Sequence, residues 1–230
     1  MVTVRVGTNE PKDFYIHKER LCQYSPFFKS ALDRDWSEAK SNTINLPDDT
    51  AETFGIYCEW LYNISPFRVS DVLIGQDSKQ RFAAFHRDSD RYYHAYVFGD
   101  KVLDPKFTDM LIDRWMANMK KWNFYPVDEL FKIFNLSAKG HPVRQLLIDV
   151  MLYTAHEGWS GFPFWNDANN LEALSEITKA FIRQRGAPLD RTNPPFHKQD
   201  MCKYHSHAGT DNPCYKAQEE WRWLREGNEA

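Results

Sequence analysis

Apolar and polar residues alternate from the first positions of the chain. Val2, Val4 and Val6 are separated by Thr3 and Arg5, the period-two pattern of a half-buried strand. Gly7-Thr8-Asn9-Glu10-Pro11 reads as a turn and Phe14-Tyr15-Ile16-His17 as a second strand, so the two predict a hairpin. From Lys18 the period becomes helical, with Leu21 and Ser25 on one face and Pro26 directly after. Proline suits the first position of a helix and the serine before it is a good N-cap. The region therefore splits into two short helices, the second turning Phe27, Phe28, Ala31 and Leu32 inward. Thr43-Ile44-Asn45-Leu46 alternates again as a strand and ends at Pro47. Asp49, with Glu52 three positions on, has capping-box spacing. It opens a helix carrying Phe54, Tyr57, Cys58 and Leu61 that stops near Asn63. Strand, strand, helix, helix, strand, helix predicts an α+β domain and not a repeating βαβ unit.

Residues 64–90 are weakly patterned and polar, which predicts a mobile insertion or long loop. Beyond Arg91 the pattern is helical almost throughout. One stripe holds Tyr93, Tyr96, Val97 and Leu103, and Asp104-Pro105 restarts a helix with Phe107, Met110, Leu111 and Trp115. Pro126 and Pro142 open two more, the first with Leu130, Phe131 and Phe134, the second with Leu146, Leu147 and Val150. A last helix, Leu171 to Arg185, ends at Gly186. Before it lies the aromatic loop Gly158–Trp165, readable as a hydrophobic flap over the helical half or as a peptide-binding surface.

Composition narrows the function classes. The net charge is -3 and the basic residues are interspersed with acidic ones, so the electrostatic footprint of a nucleic-acid binder is missing. Apolar runs fall far short of the ~20 residues that span a bilayer, so no membrane partner is expected. The start MVTVRVG lacks the charged-then-apolar form of a secretory signal. Four cysteines do not make a disulfide framework in a chain of 230 residues. Cys22 and Cys58 sit in apolar-periodic segments and are expected in a reduced core, which suits a cytoplasmic or nuclear protein.

The other two cysteines fall close together, in Cys202-Lys203-Tyr204-His205-Ser206-His207 and then Cys214. Two thiolates and two imidazoles complete a tetrahedral set for zinc, with His197 as a substitute ligand. Four protein donors point to a structural ion. A polar tail with incidental thiols is the plain alternative, and a metal-dependent enzyme using the tail histidines is another. Catalysis otherwise finds little support: G-x-S-x-G, the P-loop, G-x-G-x-x-G and H-E-x-x-H are all missing. His156-Glu157 reads as a surface pair at a helix end, and His86, His94 and His141 as ordinary imidazoles.

The order of the first 63 residues resembles the BTB/POZ fold. The match is carried by Val2 to Gly7, by Phe14-Tyr15-Ile16-His17-Lys18 leading to Leu21, and by Ser25-Pro26-Phe27-Phe28. Ile44-Asn45-Leu46-Pro47-Asp48, the Phe54 helix and Tyr93 to Lys101 continue it. The whole chain is similar to fungal BTB proteins with a helical extension. That resemblance implies a BTB/POZ domain over residues 1–120, a helical extension resembling a BACK domain over 121–185, and a polar tail over 186–230. It also implies protein binding, a structural His17, and a role for Trp36-Ser37-Glu38. In BTB adaptors of cullin-type ubiquitin ligases, a hydrophobic residue, any residue and a glutamate occupy this place between the second short helix and the third strand. Trp36 and Glu38 would then contact a cullin scaffold; the rival is a dimerising scaffold or transcriptional co-regulator without a cullin. The first strand opens at Val2, so a homodimer is expected to pack through helices and not to exchange an N-terminal strand.

Overall fold

The structure, a computed structural model, describes residues 1–33, 41–62, 77–186, 188–198 and 202–217. Two compact units emerge from its contacts. The first holds Met1–Ala84, Arg91–Leu111 and Pro213–Ala230, the second Phe85–Asp90 and Ile112–Asn212.

The first unit is built on three short strands, β1 (Val2–Val6), β2 (Lys12–Ile16) and β3 (Thr43–Leu46). β1 lies in the middle. It runs antiparallel to β2, with Val4 opposite Phe14, and parallel to β3, with Val4 opposite Ile44. The alternation read from the sequence is the burial pattern: Val2, Val4, Val6, Ile16, Ile44 and Leu46 are all buried, while Tyr15 faces outward. Gly7, at φ +91°, makes the turn out of β1 in a region where a side chain is strained.

Helices α1 (Lys18–Tyr24) and α2 (Pro26–Asp33) are divided at Ser25 as expected. The buried Ser25 hydroxyl accepts from the Phe28 amide at 3.1 Å, capping α2, and donates to the Val102 carbonyl at 2.5 Å. Helix α3 (Ala51–Leu61) is capped one residue later than the capping-box spacing predicts. Thr50 Oγ1 accepts from the Thr53 amide at 3.1 Å, because the Asp49 carboxylate is engaged by Lys101 Nζ at 2.6 Å.

The larger correction is α4 (Ser78–Lys101), which takes up much of the stretch expected to be loop. Asp77 caps it by accepting from the Gln80 amide at 2.8 Å. Its buried positions include Ala84, Phe85, Ser89 and Tyr92, whereas Phe82 is half exposed. A buried serine and an exposed phenylalanine blur the apolar stripe that would announce a helix. Residues 63–76 lie outside the described residues.

The core of the first unit is aromatic. Tyr57 stands edge-on to Phe107 at 5.1 Å and to Phe98 at 5.3 Å between ring centroids, and Phe54 meets Phe14 at 4.9 Å. Burying each such ring contributes about 1.5–3 kcal/mol. Gly99 makes the packing possible, since a Cβ there would sit 2.7 Å from Phe107 Cδ1 and 2.8 Å from Thr108 Cγ2. Asp104 precedes α5 (Pro105–Trp122) and is buried beneath these rings. It caps α5 by accepting from the Phe107 amide at 3.0 Å, and takes Tyr57 OH at 3.1 Å and Trp60 Nε1 at 3.0 Å. Tyr215, buried near the end of the described chain, sets its ring 6.0 Å from that of Trp60.

The second unit packs α6 (Val127–Leu136), α7 (Val143–Thr154) and α8 (Leu171–Gln184), with Phe131, Phe134, Leu146, Leu147, Val150 and Ile177 buried. The aromatic loop covers helices as a flap. Phe164 is buried and stacked on Phe131 at 5.0 Å, and its carbonyl accepts from Asn170 Nδ2 at 3.1 Å. Trp165 Nε1 donates to the Trp159 carbonyl at 2.7 Å, closing the loop on itself. Among the described residues, no helix is long and apolar enough to cross a membrane.

Candidate functional site

After α8 the described residues proceed by short 3-10 turns, among them Pro195–His197, Cys202–Tyr204 and Tyr215–Ala217. Residues 202–210 hold their shape through local backbone bonds. The His205 amide donates to the Cys202 carbonyl at 3.0 Å, Ala208 to His205 at 2.9 Å and Thr210 to His207 at 2.9 Å. Gly209, at φ +78°, permits the reversal that follows. The segment is anchored to the second unit through Asp149 of α7. One oxygen of that carboxylate accepts from Tyr204 OH at 2.7 Å and from Lys203 Nζ at 2.6 Å. The other accepts from Gln145 Nε2 at 2.8 Å. Burial pushes the Tyr204 phenol far above its ordinary range, and the nearby Asp149 charge adds to this, so the ring stays a neutral donor.

This anchoring brings the sequence-predicted metal residues together. One ligand atom each from Cys202, His205, His207 and Cys214 all lie within 4.8 Å of one another. His205 is fully buried and the other three are partly so. His205 Nδ1 lies 3.2 Å from His207 Nε2. Its other nitrogen, Nε2, lies 3.0 Å from Asp113 Oδ1 on α5. The two atoms stand at ion-pair distance without the alignment of a hydrogen bond, and Nδ1, across the ring, faces the cluster. His197, the substitute ligand, is not part of this group; its ring is held below the ordinary histidine range by burial and then by Lys120.

Two residues of the site escaped sequence reasoning. Asp113 and Asp149 are carboxylates on helices far upstream, and only the fold brings them near the cluster. The available signal was that each acid stands among apolar helix neighbours: Ile112, Trp115 and Met116 for Asp113, Val150 and Met151 for Asp149. A buried carboxylate needs a partner.

The other sequence-predicted pair, Trp36 and Glu38, lies outside the described residues. Its place in the chain is bounded by α2, which ends at Asp33, and β3, which begins at Thr43. His17 does have a structural part: its Nδ1 lies 2.8 Å from the Tyr62 hydroxyl, tying the end of β2 to the end of α3.

Residues 2–73 match the family model of the BTB/POZ domain. The chain carries a BTB/POZ domain. The match covers the three strands and α1 to α3, and the fold class is accordingly α+β with further helices. A BTB/POZ domain is a protein–protein interaction module, which makes protein binding the activity indicated for this chain. No curated protein matches the chain.

Proposed function

We propose that this chain is a substrate adaptor that uses its BTB/POZ domain to dock on a cullin-type ubiquitin-ligase scaffold, with Trp36 and Glu38 as the docking pair. The observation that supports the reading is positional. Within the residues matched as BTB/POZ, Trp36-Ser37-Glu38 stands in sequence between the end of α2 at Asp33 and the start of β3 at Thr43. A tryptophan offers a large anchor that loses little conformational entropy, and interface hot spots are enriched in it. A carboxylate two residues on would fix the orientation of the contact through a charge-assisted hydrogen bond.

Pull-down of the full chain on an immobilised cullin scaffold tests this directly. Wild type should be retained, while Trp36→Ala and Glu38→Ala should each weaken retention by about tenfold or more, the scale of a hot-spot loss. Equal retention of all three proteins, or retention of none, overturns the adaptor role. A chain that self-associates but never binds the cullin would instead be a dimerising scaffold.

A further inference from the structure

We infer that Cys202, His205, His207 and Cys214 form a structural zinc site, with Asp113 as the residue that orients His205. The four donors come from one stretch of chain.

The donor chemistry selects the ion. Two thiolates and two neutral imidazoles are the soft and borderline ligands that zinc takes in tetrahedral sites. Their two negative charges balance the dication, so the completed centre is neutral and tolerates the burial seen at His205. With Zn–N near 2.0–2.1 Å and Zn–S near 2.3 Å, donors at the corners of the tetrahedron stand about 3.3–3.8 Å apart. The 3.2 Å between His205 Nδ1 and His207 Nε2 already approximates one edge. Every donor separation lies within 4.8 Å, so a movement of about 1 Å or less brings each to such an edge.

Asp113 supplies a second, independent observation. A zinc-bound histidine commonly donates its remaining ring N–H to a carboxylate, which fixes the tautomer and raises the basicity of the ligating nitrogen. Asp113 Oδ1 stands 3.0 Å from His205 Nε2, within reach of that bond though not aligned for it here, and the other nitrogen of the ring faces the cluster. Asp113 is therefore a positioning residue and not a ligand. Four protein donors leave no vacant coordination position for a substrate or an activated water, so the ion's part is to hold the segment in place.

The test uses the full chain expressed with zinc supplied. Metal analysis of the purified protein should find one zinc per chain, and Cys202→Ser and Cys214→Ser should each lose it. Should either variant fail to fold, cobalt(II) added to chelator-stripped wild type gives a separate reading. Tetrahedral coordination by two thiolates and two imidazoles should appear as intense visible bands together with thiolate charge transfer. Asp113→Asn should keep that spectrum and bind the metal 10–100-fold more weakly. Wild type without stoichiometric zinc, Cys214→Ser with wild-type affinity and spectrum, or a five-coordinate cobalt spectrum with bound solvent would each overturn the assignment.

Discussion

The carboxyl of Asp104 should make the first unit less stable as the solution passes from mildly acid to neutral. Asp104 is 1% exposed, and its oxygens are satisfied by Tyr57 OH, Trp60 Nε1 and the Phe107 amide. Desolvation, the largest influence on it, outweighs those three donors and raises its pKa from 3.8 to about 6. Below about pH 4 the group is protonated in the folded and unfolded chain alike. Between about pH 4 and 6 the folded chain keeps a proton that the unfolded chain has released. Stability therefore falls with rising pH across that window and levels out above the folded pKa. At 1.36 kcal/mol per unit, a rise of about two units corresponds to a fall of about 3 kcal/mol. Asp104→Asn removes the titration and isolates the effect, because every other ionisable group is common to both proteins. Urea unfolding followed by tryptophan fluorescence, from pH 4 to 7.5 at constant ionic strength, gives the stability difference, wild type minus variant. That difference should shrink by about 3 kcal/mol toward neutral pH. A flat difference, or one that grows with pH, would refute the idea that an under-solvated carboxylate sits beneath the aromatic core.

Two further outcomes follow from close packing and from anchoring. Gly99→Ala gains about 1 kcal/mol of helix propensity but drives a methyl to 2.7 Å from the buried Phe107 ring, an overpacking that costs about 1–3 kcal/mol. The melting temperature should fall, and Phe107→Leu in the same chain should recover part of the loss; a stabilised Gly99→Ala would contradict the packing described. Asp149→Ala strips Lys203 and the buried Tyr204 hydroxyl of their shared acceptor, a loss of about 1–3 kcal/mol. Residues 202–212 should then be cut earlier in limited proteolysis, and an unchanged cleavage pattern would mean that Asp149 is not the anchor.

The sequence discloses elements better than it discloses neighbours. Strict alternation in Val2–Val6 identifies a buried strand, and Ser25-Pro26 marks a helix boundary, because both are properties of adjacent residues. That β1 lies between β2 and β3, parallel to the latter, follows from tertiary pairing to which the alternation of Thr43–Leu46 is indifferent. Thr50 displaced Asp49 as the cap for the same reason: the competing bond to Lys101 comes from a residue far along the chain. The α4 helix was concealed by Ser89, a hydroxyl where the stripe calls for an apolar residue; it lies within 3.4 Å of Trp115 Nε1, and that indole is legible only in three dimensions. The grouping of Cys202, His205, His207 and Cys214 was the converse case. Its members crowd into one short segment, so their proximity was legible from spacing, while Asp113 and Asp149, contributed by separate helices, did not show.

The ring of Tyr215 on Trp60 bears on the order in which this protein can fold. Synthesis delivers β1 first, yet its parallel partner β3 follows some forty residues later, and an isolated hairpin of β1 and β2 is marginal in water. The first unit also takes in Arg91–Leu111 and residues from Pro213 onward, so it is discontinuous along the chain. As the polypeptide leaves the ribosome, the face of Trp60 that Tyr215 covers stays open until nearly the whole of the described chain has been made. Vectorial folding can begin the first unit with β1 to α3, but it completes that unit only after Tyr215 has been made.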